Sequence, residues 1–327
     1  MPYVLVTGGT GMVGSTMVDY ILAEHTDYDV VAMGRVDSNL KNVTHVLDHP
    51  RVHWEMGDLL DLETLKRILT TYKPVRCFHT AGMSHVPTAW RFPQDCMQVN
   101  VIGQINLLEA IREICPECCI QICGSSEEYG LVLSHEVPIK ETNPLRPLSP
   151  YGCSKIAQDM LGYQYTKGYG MKIVRTRAFN HSGARRHKDF AEASFSSQIA
   201  RIEQGLREPV IEHGNLDAIR DMTNVKDVVR AYWISLDGQC EWGEVYNICS
   251  GRGPRIQGML DYLISLTDID ITLAPDPTLT RPSDIPILIG DYTRFSQATG
   301  WEPTYTWKET IAECLDYWRL QVQNTKR

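Results

Sequence analysis

Apolar and polar positions change rhythm in blocks along the first half of the chain. Tyr3-Val4-Leu5-Val6 is a short apolar run closed by Thr7-Gly8-Gly9, the pattern of a buried parallel strand. Val13, Met17, Val18, Ile21 and Leu22 follow at the spacing of one helix face. The same switching predicts strands at 2–7, 29–33, 52–56, 75–79, 118–124 and 172–177. It predicts helices at 12–24, 62–72, 96–114 and 151–168. Such alternation argues for an α/β fold built on a Rossmann-type, doubly wound parallel sheet. Past residue 178 the pattern loosens, Gly and Pro become frequent, and single charged residues interrupt apolar stretches. Residues 1–178 are therefore expected to form a dinucleotide-binding domain, with segments near 215–248 and 286–296 returning to it. Residues 179–327 are expected to build mainly a smaller α/β substrate-binding region.

The loop after the first strand changes the picture from fold to ligand. Thr7-Gly8-Gly9-Thr10-Gly11-Met12-Val13-Gly14 carries glycines at 8, 11 and 14. The first allows a tight turn, the second lets backbone approach a pyrophosphate, and the third lets helix pack closely on strand. Free N–H groups and the dipole at the helix start then favour an anion. Gly8, Thr10, Gly11, Met12, Val13 and Gly14 are the candidates for this contact, although a glycine triplet also occurs in ordinary loops.

Composition narrows the partners. The chain has 327 residues, 43% of them hydrophobic, and a net charge of −8. A nucleic-acid partner would need a basic face, which this balance does not favour. No apolar run approaches the ~18 residues of a membrane span. Met1-Pro2-Tyr3 leads directly into a strand, so no signal peptide is expected and the location is read as cytoplasmic. The ten cysteines are read as reduced thiols, several of them in apparent strands or helices. Cys115-x-x-Cys118-Cys119 resembles half a zinc site, but no second ligand pair stands at suitable spacing, and no metal is expected.

Tyr151 and Lys155 carry the candidate chemistry. Four residues apart on a helix, they share a face. An ammonium beside a phenol favours phenolate and lowers its pKa, making the tyrosine a usable acid or base. A solvated helix face is the bland alternative. At the cofactor end, the second predicted strand ends at Gly34-Arg35 with no acid before Asp37. An acid there suits the 2′-hydroxyl of NAD and an arginine the 2′-phosphate of NADP, so NADP is expected and NAD is the alternative. Arg35 could equally be a surface cation. Asp58, after the third strand, could accept from the adenine amino group or cap the helix starting near Asp61. Leu59, Ala81 and Gly82 complete the expected cofactor contacts.

Thr7-Gly8-x-x-Gly11-x-x-Gly14, Asp58-Leu59, Ala81-Gly82, Ser125-Ser126-Glu127-Glu128-Tyr129-Gly130 and Tyr151-x-x-x-Lys155 stand in the order of a known family. The chain resembles the extended short-chain dehydrogenase/reductases, mostly nucleotide-sugar dehydratases, epimerases and reductases, essentially end to end. Within that family it is similar to the GDP-sugar branch. The resemblance implies a GDP-hexose substrate and one of two reactions. The favoured one is NADPH-dependent reduction of GDP-4-keto-6-deoxy-mannose to GDP-rhamnose; the other is 4,6-dehydration of GDP-mannose. Gly124–Gly130, Gly214-Asn215-Leu216-Asp217 and Arg281–Pro286 look closer to the reductase; Ser84-His85-Val86 and Asn180–Arg186 look closer to the dehydratase. A lysine the dehydratase carries just beyond Phe190 is absent here, as is its paired-arginine loop, of which only Arg35 remains.

By the same resemblance, Tyr151 exchanges the O4 proton, Lys155 grips the ribose, and Ser125 steadies the O4 alkoxide. Glu127 matches the dehydratase base yet is also found in reductases, so it leaves the reaction open. Asn180, Arg220 and Arg281 match residues that hold the diphosphate, the arginines as bidentate donors; either arginine could instead pair with Asp221 or Asp284. Ser84, His85 and Ser126 are further substrate candidates. Trp90 could be a sugar platform or a core residue, and the His181-Arg185-Arg186-His187-Lys188 cluster a solvated loop or a diphosphate contact. A homodimer built by two helices per subunit is usual in the family, and dimers can pair into tetramers. A cofactor-binding sensor or scaffold without turnover is the reading from another class.

Overall fold

The computed structural model describes residues 1–279 and 285–324. Six strands, β1 (Tyr3–Thr7), β2 (Asp29–Gly34), β3 (Val52–Met56), β4 (Arg76–His79), β5 (Cys119–Ser125) and β6 (Ile173–Ala178), are joined by a seventh, Val245–Ile248. They form one sheet in the order Val245–Ile248, β6, β5, β4, β1, β2, β3. Every pairing in it is parallel. The strands read as apolar runs because both sheet faces are covered. One face packs Val18 and Ile21 of helix α1 (Met12–Glu24) against Val228 and Tyr232 of helix Val225–Ser235. The other packs Leu65 and Ile68 of helix α2 (Leu62–Tyr72) against Leu107 and Ile111 of helix Gly103–Ile114.

Strand order reverses between β1 and β4, which places a crevice at their carboxyl ends. Register brings Thr7, Met33 and His79 level there, with Ser125 beside Ala178 further along the same edge. Thr7, His79 and Ser125 stand at this edge, and the loops leaving it carry the glycine and serine motifs.

The predicted helix 96–114 is interrupted. Helix Pro93–Met97 runs into a π-helical turn, Gln98–Ile102, before Gly103–Ile114. The turn brings Asn100 inside, fully buried and satisfied: Nδ2 donates to Ser154 Oγ at 2.9 Å and Met83 O at 3.0 Å, and Oδ1 accepts from Met83 N at 2.7 Å. A polar side chain with these partners outweighs regular winding.

After β6 the chain leaves the sheet and comes back. Helix Val225–Ser235, strand Val245–Ile248 and Phe295 of helix Thr293–Thr299 pack on the sheet core. Strands Ile219–Arg220 and Ile287–Leu288 pair with each other outside it. A separate core joins Phe195 and Ile199 of helix Ala191–Glu203 to Met259, Leu263, Ile311 and Leu315. No described helix is long and apolar enough to cross a membrane. The ten cysteines are free thiols, and the described residues hold no cluster of three metal-ligating side chains.

Candidate active site

The glycine loop is built by close contacts. Gly8 has φ +70°, and a Cβ there would lie 2.9 Å from the Ala81 backbone. At Gly14 a Cβ would lie 2.2 Å from Gly8 O, so strand end and helix α1 touch through backbone alone. Gly11 differs: it is exposed, precedes the helix, and a Cβ there would meet only Gly8 O at 3.4 Å. The space beyond Gly11 is open to a ligand phosphate, and the helix start carries no acid or side-chain cap. These residues fit a dinucleotide.

A cleft of about 420 Å³ runs from Thr10, Gly11 and Met12 past Arg35 to Ser84 and Arg185. Lys41, Arg186 and His187 also line it, against a single acid, Asp37. The excess of cations suits an anionic ligand. Arg35 is largely exposed and pairs with Asp37 at 3.3 Å. Asp58 accepts from Leu60 N at 2.9 Å, while Asp61 is the side chain that caps α2. Leu59 is buried against Gly103, Gly82 backs onto Asn100, and Val13 packs against the sheet core.

Helix Pro150–Tyr169 positions the tyrosine–lysine pair. Ser149 caps it by accepting from Gly152 N at 3.0 Å, Pro150 opens it, and Gly170 at φ +73° closes it. Tyr151 and Lys155 are both buried, and Ser125 stands at the end of β5 against the Tyr151 hydroxyl. Burial pushes the Tyr151 phenol above its ordinary value, and the Ser125 hydrogen bond opposes that rise. Lys155 does not supply the lowering expected from spacing. Its Nζ donates to Cys123 O at 2.8 Å and lies 5.8 Å from the Tyr151 ring centroid, and burial draws its own pKa down.

Ser125 Oγ accepts from Glu127 N at 3.2 Å. Glu127 is half-buried, and its charge acts on Tyr151. Ser126 is buried beside them. Among the substrate candidates, Ser84 is exposed in the cleft, and the His85 ring meets Phe190 edge-on at 5.5 Å. Asn180 is half-buried, and its carbonyl accepts from Thr223 N at 2.9 Å. Arg220 is buried and donates to Ile285 O at 2.6 Å. Asp221 is taken up by Ser250, Gly251 and Gly290, so the sequence-adjacent ion pair is not its arrangement. Arg281 and Asp284 lie outside the described residues. Trp90 is 41% exposed rather than core, and Arg186 pairs with Glu192 at 2.9 Å.

The residues that sequence reasoning passed over are the buried charges behind Ser125. Glu128, Asp159, Arg175 and Arg177 form a linked set of ion pairs. Their signal was present in two arginines inside the otherwise apolar strand Ile173–Ala178, and in Asp159 standing two turns beyond Tyr151 on the same helix.

Residues 5–314 match the family model described as GDP-mannose 4,6 dehydratase. The chain belongs to that family. Among curated members it is 31% identical to GDP-6-deoxy-D-mannose reductase of Pseudomonas aeruginosa, covering 97% of each chain. It is also 31% identical to GDP-mannose 4,6-dehydratase of Vibrio cholerae, covering 95% of this chain and 92% of the other. Among solved structures, RMD from Pseudomonas aeruginosa complexed with NADPH superposes with a TM-score of 0.85 at 30% identity, over 98% of this chain and 100% of that one. The GDP-mannose 4,6-dehydratase family thus includes both a reductase and a dehydratase at the same distance from this chain.

Proposed function

We propose that the protein is an NADP-dependent GDP-sugar enzyme that reduces the 4-keto group of GDP-4-keto-6-deoxy-mannose to give GDP-rhamnose. The observation that carries this reading is the buried hydroxyl pair of Ser125 and Tyr151, in a chain whose glycine loop has an open face that fits a dinucleotide phosphate. NADPH, when bound, supplies the hydride. Gly8, Gly11 and Gly14 hold its pyrophosphate at the start of α1, and Arg35 favours its 2′-phosphate. Ser125 hydrogen-bonds O4 and steadies the charge that develops there. Tyr151, kept as a phenol by burial, delivers the proton to O4. Lys155 fixes the strand end by donating to Cys123 O. Arg220 and Asn180 are assigned to the diphosphate. The preference over dehydration rests on the region after Phe190. Glu192 there is engaged by Arg186, and no lysine follows.

Dehydration of GDP-mannose is the second reading, favoured by one observation: Glu127 lies two residues past Ser125, with its charge felt at Tyr151. A carboxylate there is placed to take a C5 proton. One experiment separates the two. The protein is incubated with GDP-mannose and no added reductant, and separately with the 4-keto sugar and NADPH. A 4-keto-6-deoxy product in the first arm establishes dehydration. NADPH consumption in the second, with no 4-keto-6-deoxy product in the first, establishes reduction. No turnover in either arm leaves a cofactor-binding scaffold.

Assembly as a homodimer fits the apolar side chains left exposed on the helices of residues 93–114 and 150–169: Met97, Ile102, Met160 and Tyr163. Light scattering on the purified chain measures it and distinguishes a tetramer. Ten unpaired thiols fit a reducing, cytoplasmic setting.

A further inference from the structure

Glu128 is the least exposed acid near the site, with 0% relative exposure. Its Oε1 accepts from Ser125 N at 2.7 Å, and its Oε2 lies 3.0 Å from Arg177 Nε. Space for this carboxylate is provided by Gly124, where a Cβ would lie 2.5 Å from Oε1 and 2.8 Å from Thr176 O. Arg177 continues to Asp159 Oδ2 and to the Tyr129 hydroxyl at 3.1 Å, and Asp159 accepts from Arg175 at 2.9 Å. Two acids face two guanidinium groups in this set.

The connectivity matters more than the charge count. Asp159 is on the helix that carries Tyr151, eight residues further along. Ser125 is at the end of β5. The path Ser125 N–H, Glu128, Arg177, Asp159 therefore bridges the two elements whose hydroxyls meet. We propose that Glu128 is a positioning residue, its buried carboxylate holding the Ser125 backbone so that the Ser125 hydroxyl stays in register with Tyr151. This rests on the reading that Ser125 and Tyr151 handle O4. A buried ion pair need not add net stability; the contact to Ser125 is the return half of a capping box on the turn Ser126–Glu128, which fixes the backbone at Ser125. Burial, with Asp159 next in effect, pushes the Glu128 carboxyl up to about 8. The Arg177 guanidinium and the Ser125 N–H oppose that rise.

Two substitutions separate reach from charge. Glu128→Gln keeps an acceptor at the right distance but loses the ionisable group facing Arg177. Glu128→Asp keeps the acid but withdraws it by one methylene. Both are measured for kcat and KM with NADPH and the 4-keto sugar, alone and combined with Ser125→Ala, after circular dichroism confirms folding. If the two-arm assay identifies a dehydratase, GDP-mannose replaces that pair. Glu128→Gln is expected within about threefold of wild-type kcat. Glu128→Asp is expected to lose about tenfold in kcat with KM little changed, and Ser125→Ala/Glu128→Asp to be no slower than Ser125→Ala. Wild-type kcat in Glu128→Asp, equal losses in both variants, or losses that multiply with Ser125→Ala overturn the inference. If one variant does not fold, the other's combination with Ser125→Ala still decides between shared and independent loss. Undiminished kcat in Ser125→Ala would instead overturn the reading of the site itself.

Discussion

Lys155 donates from Nζ to the carbonyl oxygen of Cys123 at 2.8 Å, so its ammonium is tied to strand β5 while the Tyr151 ring centroid lies 5.8 Å away. The pair shares a helix face, but it does not form the direct contact that spacing suggests. Lys155 thereby braces the strand that ends in Ser125.

This arrangement sets the pH dependence. Burial raises the Tyr151 phenol, so the protonated form is present throughout the neutral range. The proposed reduction would consume that proton, so kcat should be flat from about pH 6 to 8 and fall in alkali as the phenol ionises. Tyr151→Phe and Lys155→Met should each lower kcat by about 10²-fold or more, the range of general acid–base contributions. NADPH absorbance followed across pH measures both effects. A rate that climbs from pH 6 to 9 would contradict the protonated role.

The glycine loop separates packing from binding. Gly14→Ala places a Cβ 2.2 Å from Gly8 O and should destabilise the fold by about 1–3 kcal/mol, as overpacking does. Gly11→Ala meets nothing closer than 3.4 Å and should leave stability unchanged while weakening cofactor binding. Urea denaturation and NADPH titration of the two variants should give opposite profiles.

Cofactor preference should depend on Arg35 and the acid that engages it. Arg35→Ala should reduce NADPH affinity about tenfold or more and leave NADH affinity nearly unchanged, since an exposed guanidinium contributes mainly through the 2′-phosphate. Asp37→Asn, which removes the competing partner at 3.3 Å, should strengthen NADPH binding. Fluorescence titration with both cofactors tests the pair.

His79 ends β4 with Nδ1 2.9 Å from Thr7 Oγ1, and complete burial draws its pKa down to about 3. A folded value below the ordinary ~6.5 means that the unfolded chain binds more protons between those limits. The histidine's contribution is therefore fully present above about pH 6.5 and is lost as pH falls towards 3. Glu128, raised to about 8, has the opposite sign, losing its contribution as pH rises towards that value. The wild-type slope is thus a sum, and His79→Asn isolates one part. Urea denaturation at pH 5 and pH 7 should show wild type losing up to about 1.4 kcal/mol per pH unit more than the variant. Equal slopes would contradict a buried neutral imidazole.

Much of the fold was legible because parallel strands covered on both faces read as unbroken apolar runs. β3 runs from Val52 to Met56 as expected, and α1 and α2 match their predicted limits. The helix predicted over 96–114 was not legible as interrupted, because its apolar spacing continues through the π-turn at Gln98–Ile102. What breaks it is Asn100 reaching Ser154 and Met83, residues distant in sequence. Asp61 rather than Asp58 caps α2, a choice set by the turn geometry and not by residue type.

The sequence by itself determined the α/β class, the glycine loop and the helical spacing of Tyr151 and Lys155, since each is written in local pattern; Ser125 is picked out by the family resemblance. Only the tertiary structure decided what those groups touch. Lys155 turned to Cys123, Asp221 was taken by backbone donors instead of Arg220, and Glu128 was placed behind Ser125 with Arg177. The reason is burial. Once water is excluded, each polar group must find a partner within about 3 Å, and that partner is chosen by the packing of distant segments rather than by neighbours along the chain.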